Sequence, residues 1–467
     1  MRFIPIRFAG CALATALACA AALPAAARDV DLSQAYAAAL VHDASLRAAR
    51  AAAEAGREAL PQARARLRPG VSAGASRSKN QLVSTAAGAG GAPVSTRDGY
   101  LAGSVNLTLR QPLYRPMEMA NLRQAEARVA ESEAVLEGDQ QQLAVRVGEA
   151  YFELLLADEQ IALVQAQKNA FTTQLDAAGK AFAAGSGTRT DIDEVRARLD
   201  LSTAEELQAR QHRRLAQRQL QALVGEPVDA VAPLNVGALT LAAPEPKELE
   251  AWIARAERHS PEILAAQARL DAARHEIDKA RAGHRPTLDA VAEWSRSESD
   301  NINRIGSRYT SKSLGIQLTV PLYAGGGVDS AVRQAVAEET QASEALQALR
   351  DDLAIRVTRE FSGVAEGVLR IRALEQAVRS AEQVVLSNRK SFQAGSRTTV
   401  DILDAEQRHV SALRDLAQAR FVYLMAHLRL QVLAGAFDAQ WLQGLNVFFT
   451  ASAVDGPGDH PSTRRSQ

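Results

Sequence analysis

Two periodicities alternate along the chain, and each occurs twice. Residues 101–109 place Leu101, Gly103, Val105, Leu107 and Leu109 on one side and Ala102, Ser104, Asn106 and Thr108 on the other. Residues 313–322 repeat the scheme, with Leu314, Ile316, Leu318, Val320 and Leu322 opposite Ser313, Gly315, Gln317 and Thr319. A period of two with one apolar and one polar face predicts strands. Weaker alternation marks their partners, in which Leu288, Ala290, Ala292 and Trp294 form one face of the second. Strands are thus predicted over about 70–78, 101–111, 287–296 and 313–322. Lengths of about ten residues suit tilted strands that cross a membrane. Alternation alone suits a soluble antiparallel sheet with one wet face equally well.

The other period is seven. Met117 to Phe182 contains no proline, and Leu122, Val129, Leu136, Leu143 and Ala150 recur every seventh residue. A second seam runs through Val147, Leu154, Ile161, Leu175 and Phe182, with Lys168 in one slot. Val357, Val364, Ile371, Val378, Val385 and Phe392 repeat it 210 residues later. A sustained heptad predicts left-handed coiled-coil packing, and a helix of this length reaches roughly 100 Å at 1.5 Å per residue. Gly185 and Gly395 are the expected helix stops. Shorter helices return over about 190–224 and 400–434, and others are predicted over about 31–67 and 247–283.

The repetition extends to particular residues. His42-Asp43 matches His259-Ser260 and Arg68-Pro69 matches Arg285-Pro286, both at an offset of 217. Pro112-Leu113-Tyr114 matches Pro321-Leu322-Tyr323 at 209; Phe182-Ala183-Ala184-Gly185 matches Phe392-Gln393-Ala394-Gly395 at 210. The slips fall in the Gly/Ala-rich stretch Ala86 to Gly91 and in Gly325-Gly326-Gly327, where turns absorb insertions. The reading is a first repeat over 28–238 with its tip at 185 and a second over 239–450 with its tip at 395. Each is a mainly helical rod element with two strands at one end.

Composition refines this picture. The chain has 467 residues, only 4% aromatic, with 54 basic and 54 acidic side chains. Zero net charge argues against a nucleic-acid partner, and scarce aromatics with abundant Ala suit long packed helices. Residues 1–27 read as a secretory signal, with Arg2 and Arg7, an apolar run from Ala9 to Leu23, and Ala25-Ala26-Ala27 as a cleavage site. Cys11 and Cys19, the only two cysteines, fall inside it. Ala16-Leu17-Ala18-Cys19 lacks the usual leucine of a lipoprotein site, so lipidation is not expected. Residues 451–467, with Pro457, Gly458 and Pro461, read as a disordered tail. No cofactor is implied: the histidines form no His-x-x-x-His pair, and no nucleophile elbow or phosphate-binding Gly-Lys-Ser/Thr occurs. The chain is not expected to be an enzyme. His212-Arg213-Arg214 reads as a solvated helix face. Tyr100, Tyr114, Trp294, Tyr309 and Tyr323 are placed to supply a membrane-interface belt.

Four strands cannot close a barrel, and open sheet edges are not tolerated in lipid. Membrane strands would therefore require several copies of the chain. Two copies would supply eight strands with a filled lumen, and three would supply twelve with room for a bore. The pattern itself does not choose between them.

The duplicated plan, the Pro-Leu-Tyr strand exits, the segment from Phe392 to Ala405 and the run Ala419-Arg420-Phe421-Val422-Tyr423-Leu424 together resemble the TolC family of outer-membrane export ducts, and more its type I secretion members than its efflux lipoproteins. The resemblance covers essentially the whole chain after the signal. It implies a homotrimer whose chains each give four strands to a twelve-stranded outer-membrane barrel above a periplasmic helical tunnel. It also implies a periplasmic adaptor (membrane fusion) protein and an inner-membrane ABC or other transporter as partners, with outer-membrane lipid around the barrel. The expected role is export of proteins, small molecules or both. The alternative is a non-conducting coiled-coil bridge of the cell envelope.

A duct needs a gate, and the tip is where side chains of several copies can meet. Asp401 and Asp404 lie at i, i+3 on one helix face. In a trimer they would stack as carboxylate rings, with crowding that raises some pKa values or recruits a cation; a solvated helix N-terminus accounts for them equally well without the resemblance. The resemblance further implies a closing latch from Arg397 to Thr190 and Asp191. Phe392 stands where the family has Tyr, which removes a hydroxyl from that latch. Gly185 and Gly395 are the implied adaptor contacts, besides ending their helices.

Overall fold

The computed structural model describes residues 30–302 and 305–449. The predicted signal over 1–27 and tail over 451–467 lie outside the described residues.

The elements follow the order α1 (Leu32–His42), α2 (Ala44–Arg57), α3 (Ala59–Ala65), β1 (Gly70–Ala87), β2 (Pro93–Tyr114), α4 (Pro116–Ala183) and α5 (Arg189–Val224). They continue with α6 (Leu249–His259), α7 (Pro261–Arg281), β3 (Thr287–Ile302), β4 (Ile305–Thr319), α8 (Gly327–Gln393), α9 (Thr399–Leu433) and α10 (Ala439–Asn446). Helix α4 opens with Pro116 in its first turn, where the missing N–H costs nothing. Its 68 residues extend about 100 Å. Gly185, at φ 73°, ends it: the Ser186 amide donates to the Ala181 carbonyl at 3.0 Å and the Gly185 amide to Phe182 at 3.0 Å. Gly395, at φ 75°, ends α8 through the matching bonds Ser396 to Ser391 and Gly395 to Phe392. This pair of bonds satisfies carbonyls that the helix leaves open, and only glycine adopts the left-handed corner without strain.

The heptad seam is a buried seam. Leu143, Val147, Leu154, Val357, Val364 and Ile371 are fully enclosed. It opens at its ends, where Phe182 and Phe392 are both nearly half exposed. The main core gathers midway along the long helices, around Tyr151, Phe152, Trp252, Phe421 and Phe449. Backbone-seeking side chains tie the irregular segment 225–248 to this belt. Tyr151 donates to the Ala232 carbonyl at 3.1 Å, Trp252 to Pro246 at 2.8 Å, and the Tyr423 hydroxyl bridges the Ala242 carbonyl and amide.

Two expectations about helices are corrected. The stretch 31–67 is three helices, parted at Asp43 and at Glu58; the Asp43 carboxylate accepts from the Leu46 amide at 2.7 Å and so restarts the helix. Arg146 of α4 locks that carboxylate at 3.0 Å. The stretch 247–283 is two helices, interrupted at Ser260-Pro261, the position that matches Asp43-Ala44. Proline cannot supply the helical N–H and disfavours helix at the residue before it. The cluster His212-Arg213-Arg214 is not simply solvated either. His212 contacts Glu153 at 2.7 Å, and Arg213 bonds to Asp158 and to the Asp229 carbonyl at 2.9 Å, docking α5 on α4 and on the belt.

The four strands form one antiparallel sheet in the order β1-β2-β3-β4, and the β2–β3 pairing joins the two halves of the chain. The strands run longer than their alternation predicts, to 18, 22, 16 and 15 residues. The extra length is mainly polar sequence, rich in Ser and Thr and carrying charges such as Lys79, Arg97 and Arg308, in which apolar–polar alternation is invisible but pairing persists. Ser84 bonds Thr96 at 2.7 Å and Thr85 bonds Ser95 at 2.8 Å. Register places the faces. Val71, Leu109, Ala292 and Leu314 share a row, and Ala75 and Val105 continue that side outward. On the other side the successive rows are Gly74, Asn106, Ser295, Ser311; then Ser76, Ser104, Ser297, Tyr309; then Ser78, Ala102, Ser299, Ser307. Three consecutive rows thus carry hydroxyls and an amide and no charge. Tyr100 and Tyr309 line this polar side with the serines, so they do not join the aromatic belt on the apolar side. The outer edges of β1 and β4 have no partner strand among the described residues. No helix among the described residues is long and apolar enough to cross a membrane.

Candidate functional site

The helical tips form the mouth opposite the sheet, and their local chemistry is duplicated. Thr188 caps α5 and Thr398 caps α9, each in a reciprocal capping box. In the first, Asp191 accepts from the Thr188 amide at 3.1 Å and hydroxyl at 2.6 Å. In the second, Asp401 accepts from the Thr398 amide and hydroxyl at 2.9 Å each. The sequence Thr-x-x-Asp at each site makes the acid the third helical residue, within reach of the cap. Both carboxyls are held below the ordinary aspartate range. For Asp191 the Thr188 hydroxyl is the main cause, opposed by partial desolvation and helped by the hydroxyl of Thr399. For Asp401 the Thr398 amide and hydroxyl lead, with Arg397 adding to them.

Beneath the tips sits a small core of Phe171 from α4, Val195 from α5 and Leu403 from α9. It fixes the two hairpins against each other and brings their acids close. Arg198 on α5 reaches Asp404 on α9 at 2.9 Å while also contacting Glu194 at 3.4 Å. Buried Glu406 receives Arg389 at 2.7 Å and Gln174 at 3.2 Å.

The predicted site residues are therefore all at this mouth, but not in one cluster. Within one chain Arg397, in the tip turn, pairs at 3.2 Å with Asp401 in the first turn of α9. Asp191 instead finds the hydroxyls of Thr188 and Thr399. Thr190, Gly185, Phe392 and Gly395 are exposed. Asp401 and Asp404 each hold a cationic partner inside the chain, and Asp401 shifts down, whereas crowding among copies would push it up. Sequence reasoning missed Arg198, Thr399 and Glu194. The offset of 210 that pairs Asp191 with Asp401 also pairs Glu194 with Asp404, a signal that was available. No cluster of three or more His, Cys, Asp or Glu side chains fit for a metal occurs within the chain among the described residues.

At the strand end, an ion cluster anchors the junction of sheet and helices. Asp289 on β3 is almost fully enclosed and accepts from Arg110 on β2 and Arg115 at the start of α4, at 2.6 Å each. A buried carboxylate with two guanidinium partners resists rearrangement, since removing one partner strands a charge.

Comparison with known proteins agrees with this architecture. The family model described as "Outer membrane efflux protein" matches residues 18–226 and 252–436. The chain is similar to the proteases secretion protein PrtF of Dickeya chrysanthemi, 32% identical over 92% of this chain and 93% of that protein. It is similar to the alkaline protease secretion protein AprF of Pseudomonas aeruginosa, 34% identical over 79% and 75%. It also resembles the outer membrane protein TolC of Escherichia coli, 31% identical over 74% and 72%. Among solved structures, the outer-membrane channel OprN superposes with a TM-score of 0.73 at 21% identity, over 87% of this chain and 90% of that one. CusC does so with 0.75 at 16% identity, over 88% and 93%. Family match, near-full-length relatives and a shared fold converge: the chain belongs to the outer membrane efflux protein family, the TolC-like export channels of the outer membrane.

Proposed function

We propose that this chain is the outer-membrane duct of a type I secretion machine and that it exports protein cargo, proteases in the first instance, as a homotrimer. The observation that carries the assembly is the sheet. It has an apolar face, a serine-rich face and two open edges, so β1 of one copy must meet β4 of the next. Three copies give twelve strands and an aqueous bore. Similarity to two protease secretion proteins, over nearly the whole of one and three quarters of the other, supports the cargo class. The exposed tip turns, with Gly185 and Gly395, are the surface for a periplasmic adaptor, which passes cargo from an inner-membrane transporter.

In the closed trimer, Asp401 and Asp404 ring the mouth and attract cations. In this reading Arg397 exchanges Asp401 for Thr190 and Asp191 of a neighbouring copy's first-repeat tip when the duct closes. Arg presents a planar donor fork, so such an exchange is a switch between two defined geometries.

The test has two arms. Purified protein in planar bilayers should carry small cation-selective currents that divalent cations reduce. A strain lacking this gene should lose export of a cognate protease and regain it on complementation. Silent bilayers would favour the non-conducting bridge, and normal export in the deletion strain would overturn the cargo assignment.

A further inference from the structure

We infer that the outer face of the sheet carries a built-in seat for a phosphorylated lipid headgroup, lying over Gly103 between Arg77 of β1 and Arg296 of β3. Register places the seat: Arg77 pairs with Gly103, Gly103 with Glu298, and Val105 with Arg296. Glycine leaves the row without a side chain, and a bay of about 560 Å³ opens there. Its floor toward the helices is apolar, with Ala75, Val105 and Trp294, and its rim holds the two arginines together with Glu298 and Asp300. The turn at 87–93 and the last β3–β4 pair, Ile302 with Ile305, lie at the end of the sheet away from the helices, so the bay sits where the apolar band gives way to the outer leaflet's headgroups.

Charge selects the occupant. Arg77, Lys79, Arg97, Arg296, Arg308 and Lys312 all project from this face, against Glu298 and Asp300. Arg308 is neutralised by Glu298 at 3.2 Å. Neither Arg77 nor Arg296 has an ion-pair partner among the described residues. A membrane barrel gains nothing from unpaired guanidiniums beside lipid unless something anionic meets them, and a guanidinium binds phosphate with two parallel hydrogen bonds. The apolar floor below accepts the acyl chains that a free phosphate would lack. The bay spans β1, β2 and β3 of a single chain, so it is complete in one copy and remains lipid-facing after the outer edges pair. The occupant is therefore a phosphorylated glycolipid of the outer leaflet.

The experiment uses full-length protein reconstituted in phosphatidylcholine nanodiscs and titrated with diphosphoryl lipid A, read by native mass spectrometry and by unfolding temperature. Dephosphorylated lipid A and inorganic phosphate form the comparison arms. Diphosphoryl lipid A should bind about tenfold or more tightly than the dephosphorylated form and raise the unfolding temperature, since each charged hydrogen bond is worth about a factor of ten. Arg77→Gln with Arg296→Gln should abolish that preference, Arg77→Lys with Arg296→Lys should keep part of it, and Arg97→Gln should leave it. Equal affinity for the two lipids overturns the inference, as does inorganic phosphate alone giving the same stabilisation. Should the Gln pair fail to fold, the wild-type preference between the lipids still decides.

Discussion

Arg198 of the first helical hairpin and Asp404 of the second are joined across the mouth at 2.9 Å. The bond spans 206 residues of sequence and connects the two halves of the chain at their far ends. It also places a cation against one of the two acids proposed to ring the pore. Arg198→Ala should therefore make the mouth more negative, with higher cation selectivity and stronger divalent block in planar bilayers. The pair is partly exposed, so folding stability should fall by no more than about 1 kcal/mol. Unchanged selectivity would show that Asp404 does not face the bore.

The acids themselves give the converse test. Asp401→Ala with Asp404→Ala should weaken cation selectivity and relieve divalent block. The double variant should still fold, since capping by Thr398 also uses the Asp401 amide at 3.3 Å. Block that persists in the double variant would place the cation elsewhere.

The latch is tested by a comparison of pairs. Arg397→Ser should raise single-channel conductance, and Asp191→Ala should raise it as well. Combined, they should give less than the sum of the two effects, because both remove one contact between neighbours. Additive effects would mean that Arg397 acts only through Asp401 of its own chain.

Acid should loosen the tips. The folded pKa values of Asp191 and Asp401 lie below the ordinary 3.8. A depressed folded pKa contributes stability that is complete above the unfolded value and disappears as pH falls through the folded one. Limited proteolysis at the tip turns should thus be unchanged between about pH 5 and 7 and accelerate below about pH 4. Thr398→Val removes the hydroxyl bond and should shift the onset at the second tip upward.

The return helices end on histidines. Gly225, at φ 77°, lies where an added Cβ would sit 2.5 Å from His42, and Gly435, at φ 61°, where it would sit 2.6 Å from His259. Gly225→Ala should destabilise the fold by about 1–3 kcal/mol through left-handed strain and overpacking, read as a lowered midpoint in chemical denaturation. A midpoint equal to wild type would mean that the belt moves aside freely.

Much of this architecture was legible in residue order, for physical reasons. A heptad that runs unbroken into Gly185 or Gly395 marks both a helix and its stop, so α4, α5, α8 and α9 were readable almost to the residue. The break at Asp43 was not, because the Ala-rich stretch on each side keeps its helical character and the break lies in one cap. The outer parts of the strands were hidden because hydroxyl residues face both ways without contrast. Arg198 escaped notice because its partner is set by the packing of Phe171, Val195 and Leu403, which no local pattern records.

The three uncharged serine-rich rows of the sheet have a mechanical consequence. Hydroxyls donate and accept alike, so they exchange partners with any passing peptide or water and hold none of them. A wall of this kind offers low friction and no preferred stopping place, whatever the order of residues in the threaded chain. It also lacks any slope that could act as a ratchet. For the proposed protein cargo, directional force would then be applied below the sheet, and the upper conduit would only have to let the chain slide.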